Sequence, residues 1–215
     1  MTKPKRQPTV PYITSWSSEE EAAPEVVEDA LTGGIAFRRE RVGDRDEYGV
    51  LWRRSGSRPG KGQPQYARVH PYRQRHAMRH LRCQICAAPA DRDDRGVLWL
   101  LHDDRGDWPN WPEQMAATHP PVCLPCAPLA TRLCPHLTGH HTAVRVKNPQ
   151  VVGVHGALYT PVPGSPHPRL ATRMTMLYTD PGIHRILAGQ LVTALQDCTP
   201  VDLTHELTSS STTAR

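Results

Sequence analysis

Four of the six cysteines occur as two C-x-x-C pairs, Cys83/Cys86 and Cys123/Cys126, and 36 residues separate the pairs. Because two residues between cysteines let both sulfurs turn towards one ion, two such pairs can supply a tetrahedral set of thiolates. Four thiolates satisfy Zn²⁺ and leave no position for water, so the spacing predicts one structural zinc ion. Two alternatives stay open: a redox role for either pair, and an iron–sulfur cluster.

The other cysteines and the nearby histidines can be interpreted without a metal. Cys134 and His136 follow the second pair, and we interpret Cys134 as a buried thiol on a short helix. Cys198 has no partner in the sequence and is interpreted as a core or surface thiol. His119 lies close to Cys123 and could support or replace a ligand, although four thiolates need no further group.

An arginine-rich segment, 66–82, stands directly before the first pair and contains Arg68, Arg73, Arg75, Arg79 and Arg82, with Tyr66 and Tyr72 among them. Residues 35–82 hold 13 Arg and Lys against 4 Asp and Glu, whereas residues 83–126 hold 3 against 7. Guanidinium groups bind phosphates and aromatic rings stack on bases, so the segment predicts contact with DNA or RNA. The alternative is a solvated helix face whose arginines reflect the base composition of the genome.

The order of elements around the cysteines resembles a treble-clef zinc finger. A tight turn over 87–90 follows the first pair, a strand is expected over 97–101, and the second pair opens a helix expected over 124–133. The resemblance covers roughly residues 81–135 and implies a small zinc-centred module. Judged from residues 83–136, the whole sequence also resembles proteins of high-GC actinobacteria and their mobile elements, which implies no particular activity.

HNH nucleases have a similar scaffold, often with two C-x-x-C pairs, and in them a histidine at a strand end between the pairs acts as general base. His102 stands at that position and is our candidate catalytic residue. The sequence departs from the family pattern because His102 precedes Asp103, and because no Asn and final His follow at the expected places. The alternative is an exposed histidine at the end of a strand.

Short elements and long loops are expected around these sites. The chain is 38% hydrophobic with 22 prolines and one Phe, and its mean hydropathy is -0.55, which indicates a modest core. Extended runs predict a hairpin over 34–54 and another over 143–160, the second divided at 148–149, and Pro71 predicts the start of a helix. Asp180 and Pro181 predict the start of a C-terminal helix, because apolar residues recur behind them at helical spacing.

These elements predict an α+β fold: a small zinc-centred treble-clef-like module with flanking β-hairpins and a C-terminal helix. Residues 1–30 and 208–215 are expected to be disordered tails, because they are polar and show little periodicity. Residues 31–207 form the expected domain. It contains the basic segment 66–82, the zinc module 81–136, and the C-terminal hairpin and helix 142–198.

Composition also restricts the setting and the function. No apolar stretch has the length of a membrane span, and the N-terminus lacks the apolar centre of a secretory signal. We therefore expect a cytoplasmic protein without membrane contact, whose thiols stay reduced. The favoured function is a non-enzymatic zinc-binding protein that contacts nucleic acid. The alternatives are a protein–protein adaptor that uses Trp99, Trp108 and Trp111, and a divergent HNH-like nuclease.

Overall fold

The computed structural model describes residues 9–20 and 24–212. The strands in this part of the chain are β1 (Thr14–Trp16), β2 (Val26–Asp29), β3 (Gly34–Phe37), β4 (Leu51–Trp52), β5 (Pro64–Val69), β6 (Arg92–Asp93), β7 (Gly96–His102), β8 (Ala116–Ala117), β9 (His141–Val162), β10 (Ser165–Leu177) and β11 (Ile186–Val201). The α-helices are α1 (Pro71–Arg79), α2 (Ala127–Leu133) and α3 (Leu203–Thr212). Single 3-10 turns occur at Ser17–Glu19, Leu124–Cys126 and Ile183–Arg185.

A seven-stranded sheet is built around the long strand β9. Its order is β4-β11-β9-β7-β6, while β10 also pairs with β9 and β8 also pairs with β11. One edge of β9 lies antiparallel to β11, and the other edge pairs first with β7 and then with β10. β4 joins β11 in parallel, and the pairs β1–β5 and β2–β3 form two small sheets of their own.

This mostly β architecture shows that the predicted α+β fold, a small treble-clef-like module with flanking hairpins and a C-terminal helix, is wrong. The chain expected to be helical after Asp180 is strand β11. A bulge at Gly189 of β11, between Ala188 and Gln190, shifts which side of the strand faces inwards, whereas the register shift between Val192 and Thr193 comes from an extra residue of β9. Apolar residues on the two sides of a bulge therefore fall at spacings that imitate a helix.

The turn predicted at 148–149 is also wrong, because β9 continues through it. Leu195 of β11 lies opposite Pro149, donates its N–H to Met115 O and accepts from Gln114 N. Both backbone groups of Leu195 thus point away from Pro149, whose nitrogen faces the other edge of β9. On that edge β7 pairs with residues 141–146 of β9 and β10 pairs with residues 153–162, so position 149 has no partner strand. The proline therefore removes no hydrogen bond from the ladder.

The hairpin predicted over 34–54 does not form, since β3 pairs with β2 and β4 pairs with β11. The segments expected to be tails overlap with regular structure. β1 and β2 lie within 1–30, and α3 includes 208–212. The remaining parts of the expected tails, 1–8, 21–23 and 213–215, lie outside the described residues.

Strand β7 separates two cores, as its unbroken apolar run predicts. Val97, Trp99 and Leu101 face the main core, while Leu98 and Leu100 face a second core on the opposite side of the sheet. The second core contains Cys83 and residues of α2, and residues of α3 pack against it. Among the described residues, no helix has the combination of length and apolar content that crossing a bilayer requires.

Helix α1 is fixed to the sheet by the buried amide of Gln74. Its Nε2 donates to Leu191 O at 3.0 Å, and its Oε1 accepts from Leu191 N at 2.9 Å. Both bonds go to the backbone of Leu191 in β11. The side-chain amide therefore takes the place of one residue of a neighbouring strand. The helix that bears most of the predicted arginines is therefore held in a defined position on the sheet.

Candidate metal centre and arginine-rich surface

The predicted clustering of the four cysteines is confirmed. The sulfur atoms of Cys83, Cys86, Cys123 and Cys126 all lie within 4.8 Å of one another, and those of Cys86 and Cys123 are 3.6 Å apart. Four sulfurs about 2.3 Å from a tetrahedral ion stand about 3.8 Å from one another, so the spacing fits one ion at the centre. A cluster of several irons would hold the sulfurs further apart, because its own core would lie between them.

The first pair lies on a tight backbone knuckle. Cys83 N donates to Ala88 O at 2.7 Å, Ala87 N donates to Cys83 O at 2.9 Å, and Ile85 N lies 3.4 Å from the Cys83 sulfur. This geometry turns the Cys83 and Cys86 side chains to the same side. It also places Ala87 at φ +63°, in the left-handed region that favours glycine.

We expect Ala87→Gly to stabilise the metal-loaded protein by up to about 1 kcal/mol. An L-residue in the left-handed region is penalised by about 1–2 kcal/mol, and glycine avoids this but loses more entropy on folding. The free energy of urea unfolding measures the change. Ala88→Gly is the matched control, because Ala88 has no positive φ, and it should instead lose about 0.5–1 kcal/mol. A less stable Ala87→Gly protein would contradict the argument.

The second pair begins a helical segment. Cys123 is extended, and its carbonyl accepts from Cys126 N at 3.0 Å and from Ala127 N at 3.1 Å. The chain then passes from the 3-10 turn into α2, which agrees with the helix predicted at the second pair. The tight turn brings the Cys126 sulfur back towards that of Cys123.

Backbone hydrogen bonds tie both pairs to the sheet. Val122 N donates to Leu98 O of β7 at 2.9 Å, and Gln84 N donates to Pro121 O at 3.0 Å. The segment before the second pair therefore lies between β7 and the first knuckle. The geometry of the cluster thus depends on long-range structure as well as on the two short motifs.

The ionisation of the thiols responds to burial and to their crowding. Burial raises the pKa of Cys123 to about 11 and also raises the pKa of Cys126. Burial acts in the same direction at Cys86, but hydrogen bonds from the Ala88 backbone and from the neighbouring thiols outweigh it and lower that pKa. A cation at the centre would favour the thiolate of every member. The donor set suits a soft ion with four ligands.

His102 and His119 are not part of the cluster. His102 is exposed at the end of β7, with its Nδ1 2.6 Å from Asp104 Oδ1. In the described part of the chain, the four cysteines are the one group of three or more metal-binding side chains close enough to share an ion. His102 therefore belongs to no described group of three or more such side chains. His119 is exposed, and its carbonyl accepts from the Trp99 indole at 3.0 Å.

Two of the five predicted arginines hold the fold together. Arg73 is buried, and its guanidinium forms two hydrogen bonds of 2.7 Å with the carboxylate of Glu19 and one with Thr14 O. Arg82 donates to Ala87 O at 3.0 Å and so supports the first cysteine knuckle. Sequence alone assigned both to a nucleic-acid surface, because burial and long-range partners have no local signal.

The other three arginines lie at the surface. Arg68 is paired with Glu20, and Arg79 is paired with Glu47 through two contacts of 2.8 Å. Arg75 lies with its guanidinium 4.5 Å from the centre of the Trp52 ring. These residues can meet a ligand, although Arg68 and Arg79 would have to exchange an acidic partner for it.

Two arginines that the sequence reading did not select join this surface. Arg53 and Arg54 follow β4 and line a cleft of about 150 Å³ together with Trp52, Tyr72 and Arg75. We call this the arginine cleft. The available signal was the adjacent pair of arginines within the basic stretch 35–82, but the expected hairpin gave no reason to place them beside α1.

The tryptophans of the adaptor hypothesis are mostly internal. Trp99 and Trp111 are buried in the main core, while Trp108 is 37% exposed. Burial of two rings removes most of the apolar surface on which that hypothesis depended.

Comparisons with protein-family models, with curated proteins and with solved structures found no match to this chain.

Proposed function

We propose that the protein is a non-enzymatic zinc-binding protein that contacts nucleic acid through the surface formed by α1 and the arginine cleft. Zinc is the ion that best suits a tetrahedral set of four thiolates. Such a site is closed, because the four ligands leave no position for substrate or water. Its role would be structural. It would hold the knuckle that follows α1 and the turn that precedes α2.

The observation that supports nucleic-acid contact is the composition of one face of α1. Tyr72, Arg75 and Arg79 lie at positions i, i+3 and i+7 and so share that face, and the Tyr72 ring is 60% exposed. An exposed ring offers a stacking surface for a base, and neighbouring guanidinium groups can bind phosphates. The buried anchors of the helix, Gln74 and Arg73, keep this face turned outwards.

We expect the zinc-loaded protein to bind short single-stranded DNA or RNA with an affinity that falls as salt rises. Each phosphate contact contributes about 0.7 to the slope of log K against log salt for a single strand. Arg75→Gln should reduce the slope by about that amount, and Tyr72→Ala should lose about 1–3 kcal/mol of stacking free energy. Fluorescence anisotropy with a labelled oligonucleotide, repeated at several salt concentrations, measures both changes.

Arg92→Gln is the matched control, because Arg92 is an exposed arginine on β6 at the opposite edge of the sheet from β4. It makes the same change in net charge, so it should leave the slope unaltered if binding is local. Absence of salt-dependent binding to any DNA or RNA would overturn the proposal. An equal effect of Arg75→Gln and Arg92→Gln would show that only the overall positive charge matters.

A further inference from the structure

The arginine cleft contains guanidinium groups with donors that the protein leaves unused. Among the described residues, the side chain of Arg75 makes no hydrogen bond to protein and has no carboxylate within 4.0 Å. The side chain of Arg53 makes one such bond, to Val69 O at 2.9 Å, and likewise has no described carboxylate within that distance. A guanidinium has five N–H donors, so both side chains keep donors available for a ligand.

The local charge is also left uncompensated. Asp44 is the acidic residue that lines the cleft, and it is already paired with Arg54 through a contact of 2.8 Å. Burial lowers the pKa of both Arg53 and Arg75, and Arg173 adds repulsion at Arg53. Asp46 and Glu47 act on Arg75 only from a longer distance. An anion in the cleft would offset both the cost of desolvating the two guanidinium groups and the repulsion between like charges.

The walls of the cleft fix the two arginines in useful positions. The central carbon of the Arg75 guanidinium lies over the Trp52 ring, 4.5 Å from its centre, and the Trp52 indole is in turn held by a 2.9 Å bond to Asp46. The N–H donors of a guanidinium held in this way can make a planar, two-pronged contact with an anion. Tyr72 also lines the cleft and is 60% exposed.

We propose that the arginine cleft is a binding site for one phosphate group, held by Arg53 and Arg75 with Arg54 beside them. The attached nucleoside would stack on Tyr72. The phosphate could belong to a nucleic acid or to a free mononucleotide, since the shared chemistry is a phosphate next to a base. The first source rests on the proposed nucleic-acid function, whereas the second does not.

The test uses the full-length, zinc-loaded, ¹⁵N-labelled protein and inorganic phosphate as the first probe. We expect saturable shifts of the side-chain Nε–H signals of Arg53 and Arg75. Arg53→Gln and Arg75→Gln should each weaken binding about tenfold or more, since each removes hydrogen bonds to a charged group. Arg75→Lys is the second variant, for use if Arg75→Gln does not fold. It keeps the positive charge but loses the forked pair of N–H donors, so it should also weaken phosphate binding. Arg92→Gln should bind phosphate as the wild type does. Absence of saturable binding, or equal binding by the Arg53 and Arg75 variants, would overturn the proposal.

Two further probes separate the sources and separate this proposal from the proposed function. Adenosine monophosphate that binds in competition with inorganic phosphate, with no binding of an oligonucleotide, supports the cleft and rejects the nucleic-acid function. An oligonucleotide that binds equally well to wild type and to Arg53→Gln supports the nucleic-acid function and rejects the cleft as its phosphate site. An oligonucleotide that competes with inorganic phosphate, and that loses affinity in Arg53→Gln, supports both.

Discussion

A variant in which Cys83 and Cys123 are both replaced by serine is expected to lose the proposed zinc ion and, with it, the native fold. Structural zinc sites have apparent binding free energies of about 10–16 kcal/mol, which is as large as the entire stability of a typical domain. Cys83 is fully buried in the second core, where β7, α2 and α3 also meet. Removal of the ion would leave four unligated thiols facing one another beside that core.

Metal content by mass spectrometry and thermal unfolding by circular dichroism measure the two effects together. Wild-type protein should contain one zinc ion per chain, and a chelator should lower its melting temperature in the same way as the substitutions. Cys134→Ser is the matched control, because Cys134 is a half-buried thiol outside the cluster and should leave metal content unchanged. Zinc retained in the double variant would show that the cysteine cluster is not the metal site.

Substitution of Glu19 by glutamine is expected to cost about 3–5 kcal/mol of stability, because it leaves the buried guanidinium of Arg73 without its counter-ion. Both side chains are almost fully buried, and the Glu19 carboxylate also accepts from Trp16 N and Arg58 N at 2.9 Å each. These bonds join the N-terminal segment, the loop after β4 and helix α1 at one point. Loss of the charge would therefore weaken the contacts that hold helix α1, and with it the proposed binding surface, in place.

The same carboxylate gives the stability a defined dependence on pH. Burial acts to raise the pKa of Glu19, but the bonds from Arg73, Trp16 and Arg58 outweigh it and hold the pKa at about 2. An unfolded glutamate has a pKa of about 4.3, so the contribution of Glu19 is complete above that pH and is lost as the pH falls towards 2. The shift corresponds to about 3 kcal/mol.

Urea unfolding of wild type and Glu19→Gln at pH 7 tests the first part, and its repetition at falling pH, for as long as mass spectrometry shows that the metal is retained, tests the second. The difference between the two proteins should be large at pH 7 and should shrink once the pH falls below about 4.3. Glu25→Gln is the control, since Glu25 pairs with Arg38 at the surface and should change stability little over the same range. A Glu19→Gln protein as stable as wild type at pH 7 would show that the buried pair adds nothing to the fold.

Short-range signals in the sequence predicted the parts of the molecule that depend on neighbouring residues. The two C-x-x-C motifs, the first-turn proline of α1 and the apolar run of β7 each correspond to what the structure contains. In each case the determining contacts lie within a few residues or follow from burial on both faces of one strand. The clustering of the cysteines was predictable for a related reason, because tetrahedral coordination requires two such pairs to meet.

The sheet could not be predicted in the same way, because its strands are defined by distant partners. The bulge of β11 and the unpaired edge beside Pro149 are properties of strand pairing, and a single segment does not encode them. The role of Arg73 depended on Glu19, which lies in a segment that composition marked as a tail. Patterns of charge therefore located a basic surface but did not separate its structural arginines from the ones that can bind.

The parallel pairing of β4 with β11 has a consequence for how the protein matures in the cell. Leu51 pairs with Leu187, so more than half of the chain lies between the two partners. During synthesis the N-terminal part emerges first and folds as a unit only when its contacts are available. Arg53 follows β4 directly, and its backbone N–H is bonded to Ala188 O of β11. The arginine cleft is consequently assembled only after the ribosome has completed β11, and no N-terminal fragment that ends before this strand should display it.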